Sequence, residues 1–165
     1  GVQTCALPIL SQGSATENQL EREYLQQSIS QNLGVKVELN TVGDYQMFAN
    51  ERDNKNYDIF VGGWFSDYND PLDFLNVMKT GVYDSYGLYS NSEYDSLIDS
   101  LTGENDNAKR LEIYQKLEDL LVAQDCGVAP LYYSDKHYYY QNWVKDFYTS
   151  SFGASQELYR ASVQK

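Results

Sequence analysis

The chain has 165 residues, 42% apolar and 15% aromatic, enough for the core of one domain. Its formal net charge is −12 and its pI about 4.3, which argues against nucleic acid or an anionic membrane surface as a partner. No apolar run approaches the roughly 20 residues of a membrane span.

Gly1–Ile9, GVQTCALPI, is what GGA GTT CAG ACG TGT GCT CTT CCG ATC encodes, a string that resembles a common sequencing-library adapter. These residues are expected to be an artefact fused to a truncated reading frame and to lie outside the fold. A remnant of a secretory signal is the competing idea, but there is no basic segment and no long apolar core. Setting the segment aside removes Cys5 and leaves Cys126 alone, which argues against a disulfide framework. Cys126 reads as a small, semi-buried filler, since no thiolate-activating cluster is visible.

Ala15 to Leu33 reads as a helix with Leu20, Tyr24, Leu25, Ile29 and Leu33 on one stripe, stopped by Gly34. Val35–Asn40 alternates as a half-buried strand. Asp44 caps a second helix carrying Tyr45, Met47 and Phe48, followed by a polar loop from Glu51 to Asn56. Tyr57–Val61 is β-branched and aromatic, as a mostly buried strand should be. Helix, strand, helix, strand predicts a parallel α/β arrangement.

Gly62 and Gly63 then allow close approach of a backbone, whether the protein's own or another molecule's. Trp64 and Phe65 form a bulky apolar pair before the turn-prone Ser66–Pro71, and Pro71 opens a short helix with Leu72, Phe74, Leu75 and Met78. A strand ending in glycines, an indole and the Asp67 carboxylate can form a ligand wall, while the plainer reading of its periodicity is a buried strand with a capped helix behind it. Further on, Asn91 or Ser92 caps a helix ended by Gly103. A longer helix runs from about Asn107 to Ala123 with Leu111, Tyr114, Leu117, Leu121 and Val122 inward. Val128–Tyr133 and His137–Tyr140 read as a hairpin, with Trp143–Val144 and Phe147–Tyr148 packed under a last strand at Leu158–Val163. Sixteen tyrosines against six phenylalanines and two tryptophans suit a wet, adaptable binding surface, with ordinary surface tyrosine as the plain alternative.

Catalysis finds little to work with. Asp67, Asp70 and Asp73 are the only adjacent carboxylates in a plausible cleft, and the last two have capping and dipole explanations. His137 is the only histidine, and no serine sits in a nucleophile elbow. No metal-ligand spacing and no phosphate-binding glycine loop exist. No enzyme activity, metal or cofactor is therefore expected.

Resemblance is more specific. Gly63-Trp64-Phe65-Ser66-Asp67-Tyr68-Asn69-Asp70-Pro71-Leu72-Asp73-Phe74 resembles the GW-x-x-DY-x-DP-x-x-F segment of the solute-binding proteins of oligopeptide ABC transporters, family 5. In order along the chain, Ser90–Ile98 is similar to that family's YSNPEYDALI helix start. Lys109–Glu118 resembles its R-x-x-x-Y-x-x-x-E helix, Ala129–Tyr133 its P-L-Y-Y strand, and Asn142–Phe147 its W-V-K-G segment. Ser134 stands where many relatives carry a third aromatic, and Tyr83–Leu88 and Ser92 depart from the usual asparagine, glycine and proline.

The resemblance implies a C-terminal fragment of a two-lobed, hinge-closing α/β protein of the type II periplasmic-binding-protein class. Residues 10–130 would belong to the larger ligand-binding lobe and residues 131–165 would return to the other lobe. It further implies peptide binding outside the cytoplasm and delivery to ABC transporter permease subunits. The only membrane link would be an N-terminal lipid anchor, as in a Gram-positive cell-surface lipoprotein; the alternative location is periplasmic. In that picture Asp67 takes the peptide ammonium, and backbone around Gly63, Trp64, Phe65 and Tyr68 pairs with the ligand main chain. Arg52 takes the ligand carboxylate, or is simply a solvated loop charge. A non-peptide solute, an oligosaccharide or a nickel chelate, is the alternative ligand.

Overall fold

The computed structural model describes residues 6–13, 16–82, 88–153 and 156–164. Cys5, the expected helix start at Ala15 and the departures at Tyr83–Gly87 lie outside them. Two compact units follow one another along the chain, residues 1–63 and 64–165.

The first unit runs β1 (Leu7–Gln12), α1 (Thr16–Leu33), β2 (Val37–Val42), α2 (Tyr45–Asp53) and β3 (Ile59–Val61). Its three strands are parallel in the order β2-β1-β3, with Ile9 beside Leu39 and Ile59. The α/β expectation holds, with one correction. Leu7–Ile9 were expected outside the fold, yet they open the central strand, where Ile9 and Leu10 are wholly buried. Their apolar character reads as a strand only when joined to Leu10-Ser11-Gln12. Proline is rare in a central strand because it cannot donate to the ladder. Here the Pro8 carbonyl accepts from Asp58 N–H at 3.0 Å. Its nitrogen faces the same side, at the rim where β3 has not yet begun, so no ladder bond is lost.

α1 seats itself differently from its apolar stripe. Leu20, Tyr24 and Leu33 are exposed, while Arg22 is buried and donates to the carbonyls of Gly13, at 2.9 Å, and Gln12. Gln26 donates to Val37 O at 2.8 Å. Polar side chains thus tie this helix to the strand ends. Gly34, at φ +68°, ends it in the left-handed conformation that glycine adopts without strain. Asp44 caps α2 as expected, accepting from Met47 N–H at 3.0 Å. The helix then continues through Asp53, absorbing half of the expected loop. Phe48 is buried with Leu10 and Val42, with Tyr57 and Phe60 packed on them, while Tyr45 and Met47 face solvent. β3 is shorter and less buried than expected, as an edge strand is. Among the described residues no strand pairs with the outer edges of β2 and β3.

In the second unit α3 (Leu72–Asn76), α4 (Ser92–Ser100) and α5 (Asn107–Glu118) enclose Leu75, Val77, Met78, Tyr94, Ile98, Leu101, Tyr114, Leu117, Leu120 and Leu121. Asn91 caps α4, accepting from Glu93 and Tyr94 N–H, and Asp106 caps α5. Tyr94 is buried without an unmet hydroxyl because it donates to Leu75 O at 2.8 Å. α5 does not stay α-helical to Ala123. It widens at Asp119–Gln124 into turns closed five residues apart, as in Asp125 N–H to Leu120 O at 2.9 Å. The wider turn carries Leu120 inward instead of Val122. Leu111 and Val122 are exposed. Cys126 ends the segment at φ +51° and is exposed, not semi-buried.

The hairpin expected at Val128–Tyr140 is absent: these residues form no strand. Their β propensity finds no ladder among the described residues, and Tyr132, Tyr133, Tyr139 and Tyr140 stay exposed. Pairing occurs later and in two-residue pieces, β4 (Val144–Lys145) with β7 (Ser162–Val163) and β5 (Tyr148–Thr149) with β6 (Gln156–Glu157), both antiparallel. The expected last strand is therefore only its end.

Candidate functional site

The expected site residues fall in both units. Arg52 and Gly63 belong to the first. Arg52 lies in the last turn of α2, not in a loop, and its guanidinium pairs with Asp53 at 2.9 Å with 13% of the side chain exposed. Gly63 is exposed, and a Cβ added there would meet nothing within 4 Å. The fold itself does not need glycine at that position.

The other four lie on one loop of the second unit, Trp64–Pro71, and Asp73 organises that loop from beneath. Asp73 opens the first turn of α3, is 7% exposed, and accepts from two donors with one oxygen. The Trp64 indole N–H donates at 3.1 Å, and the Asp67 backbone N–H at 2.8 Å. Trp64 packs against the core. Ser66 is buried, its hydroxyl donating to Tyr68 O. Its carbonyl accepts from Gly153 N–H at 2.9 Å. Gly153 sits at φ +60°, and a Cβ there would lie 3.3 Å from Asp67 O, so glycine suits both the conformation and the close approach. Backbone is thus pinned on both sides of Asp67, while its side chain is exposed. Among the described residues the Asp67 carboxylate carries no hydrogen bond and no ion pair. Phe65 and Tyr68 are also exposed.

The far end of the loop is tied to α5. Asp70 accepts from Leu72 N–H at 2.8 Å, from the Tyr114 hydroxyl at 2.5 Å and from the Arg110 guanidinium at 2.8 Å. Arg110 also donates to the carbonyls of Leu101 and Glu104. Arg110 and Tyr114 lie four apart, on one face of α5, which is how both reach one carboxylate. Two of the three aspartates that a hydrolytic pair would draw on are thus engaged in holding the loop.

Burial works against ionisation of Asp70, but Tyr114, the Leu72 N–H and Arg110 outweigh it and hold its carboxyl below the ordinary value. Burial and the Asp70 charge push the Tyr114 hydroxyl up to about 12. Folded Asp70 thus binds its proton less tightly than in the unfolded chain. The stability this contributes is full above the unfolded value, about 3.9, and is lost as pH falls through the lower folded value. Arg110→Met is expected to cost about 1–2 kcal/mol at neutral pH, since the pair is partly solvated. It should also flatten the acid limb of a urea-midpoint profile measured from pH 7 to pH 3.

Sequence reasoning missed Asp73 as the hub of the loop, and it missed the Asp70–Arg110–Tyr114 clamp. The four-residue spacing of Arg110 and Tyr114 was visible, but their partner lies 40 residues away in sequence. Gly153 and Lys136, whose ammonium lies 4.2 Å from the centre of the Phe65 ring, gave no signal.

Residues 5–85 match the family described as "Bacterial extracellular solute-binding proteins, family 5 Middle". The oligopeptide-binding protein OppA of Bacillus subtilis is 32% identical over 126 residues, covering 75% of this chain and 22% of that protein. A solved oligopeptide ABC transporter substrate-binding domain from Bacillus anthracis superposes with a TM-score of 0.82 at 25% identity, over 98% of this chain and 32% of that one. Listeria monocytogenes OppA, solved bound to peptide, does so with a TM-score of 0.82 at 25% identity, over 99% of this chain and 31% of that one. The fold is that of the type II periplasmic-binding-protein class. The chain spans about a fifth of the length of the curated relative.

Proposed function

We propose that this chain, whose residues 5–85 match the bacterial extracellular solute-binding proteins of family 5, is part of a binding protein that takes peptides outside the cytoplasm and delivers them to an ABC transporter permease. The reading rests on one observation above all: a carboxylate that has no partner among the described residues, on a backbone that is pinned on both sides. Such a group is prepared for a ligand cation, since a hydrogen bond to a charge contributes roughly 1.5–3 kcal/mol and no rearrangement of the loop is needed. Asp67 takes the peptide α-ammonium. Main-chain groups at Gly63, Trp64, Phe65 and Tyr68 pair with ligand amides whatever the side chains, as sheet-edge recognition does. Arg52 serves the ligand carboxylate only by giving up Asp53.

In the longer protein, residues 10–130 belong to the larger lobe and 131–165 return to the other. Further chain would cover the edges of β2 and β3 that are unpaired among the described residues, and the exposed tyrosines of 131–140. The protein works at the cell surface, as a lipoprotein, or in the periplasm. Binding without chemistry is the proposed role. A neutral oligosaccharide, which would stack on the exposed aromatics, is the competing ligand, and it gives Asp67 nothing to pair with.

Gly63→Ala separates a ligand contact from a structural one. Since a Cβ meets nothing there, the substitution is expected to shift the unfolding free energy by less than about 0.5 kcal/mol. Calorimetric affinity of the full-length protein for a tetra-alanine peptide should nevertheless fall about tenfold, because a ligand backbone can no longer approach. Unchanged affinity would remove Gly63 from the site, and binding of neutral oligosaccharide in place of peptide would overturn the functional reading.

A further inference from the structure

Among the described residues, Asp67 is not the only charge at this loop without an ionic partner. Lys136 comes from a stretch some 70 positions further along the chain, within the same unit. Its ammonium lies 4.2 Å from the centre of the Phe65 ring, two positions before Asp67. Phe65 is 65% exposed, so the cation stands on a solvent-facing ring. Among the described residues no carboxylate lies within ion-pair distance of Lys136, and no cation within that distance of Asp67. Stacking on an exposed ring localises an ammonium without using its N–H donors. A fixed anion and a localised cation thus flank the same short piece of backbone, and both are open to a ligand.

We propose that Lys136 is a specificity-determining residue, taking a ligand carboxylate that lies within about two residues of the α-ammonium on Asp67. The inference rests on the peptide-binding reading above and narrows its substrate class to peptides acidic at their N-terminal end, or to dipeptides. The shared chemistry is a carboxylate close to an ammonium, with either a side chain or a C-terminus as its source.

Two peptide pairs distinguish the sources. Ala-Asp-Ala-Ala-amide against Ala-Asn-Ala-Ala-amide tests a side chain, and Ala-Ala against Ala-Ala-amide tests a C-terminus. Each is titrated calorimetrically into the full-length protein, its Lys136→Met variant and its Lys136→Arg variant. The wild type should favour the acidic member of at least one pair by about three- to fivefold, the range of a solvated ion pair, and high salt should shrink that preference. Lys136→Met keeps the apolar contact with Phe65 and should bind both members alike, whereas Lys136→Arg should restore the preference. A preference that survives in Lys136→Met, or its absence from the wild type in both pairs, would overturn the proposal. N-acetylation of the favoured peptide tells the two readings apart. If acetylation weakens binding while Lys136→Met changes nothing, only the lysine assignment fails. If acetylation is without effect, the ammonium reading fails and the lysine assignment with it.

Discussion

Asp73→Ala is expected to destabilise the second unit by about 3 kcal/mol, the largest loss from any single change on this loop. The carboxylate is buried and accepts from both the Trp64 indole and the Asp67 N–H. Truncation leaves those two donors without an acceptor, and each orphaned donor costs about 1–3 kcal/mol in the protein interior. A water entering the vacated space would recover part of that, which sets the figure in the lower half of the combined range of about 2–6 kcal/mol. Trp64→Phe removes one donor and keeps most of the apolar area, so it should cost about 1 kcal/mol. Combined with Asp73→Ala, the two should add to less than their sum, because the second change removes a donor already orphaned. Urea unfolding of the four proteins measures this coupling. Full additivity would mean that Trp64 and Asp73 do not act on one another.

Some of this was legible in sequence and some was not, for identifiable reasons. Local signals worked: Asp44 and Asn91 cap helices through their own side chains, and Gly34 follows the last residue of α1 with positive φ. Each of those depends on atoms within a few positions. The resemblance carried the fold class, because five ordered motifs constrain more than any periodicity. Failures came where a distant partner decided the outcome. The Val128–Tyr140 stretch has the composition of strands, but a strand exists only where another chain segment offers its backbone. The apolar stripe of Leu20, Tyr24 and Leu33 did not set the buried face of α1, because the carbonyls of Gln12 and Gly13 turn Arg22 inward. Asp70 and Asp73 read as ordinary capping residues. Their longer-range roles follow from Arg110, Tyr114 and a folded-back loop. Leu7–Ile9 shows the opposite error, in which a reading of the codons outweighed the apolar run that forms a central strand.

The second large effect concerns Asp67 itself. Asp67→Asn keeps the shape and one acceptor oxygen but removes the charge, and the Asp73 contact to the Asp67 N–H is unaffected because it involves backbone. The loop should therefore stay in place while its affinity for free-amine peptides falls by about 2–5 kcal/mol, the usual loss when one partner of an interfacial charge pair is removed. Ligand burial makes the loss large, since the ammonium would enter the site with its water removed and no anion to meet it.

The most direct measurement is calorimetry on four combinations: full-length wild type and Asp67→Asn, each with a tetra-alanine peptide and with its N-acetylated form. If Asp67 takes the α-ammonium, acetylation should already weaken binding to the wild type, and the substitution should add little to that loss. The coupling between the two changes should then approach the whole effect of either. Independent effects that simply add would contradict the ammonium mechanism and leave Asp67 as a turn residue.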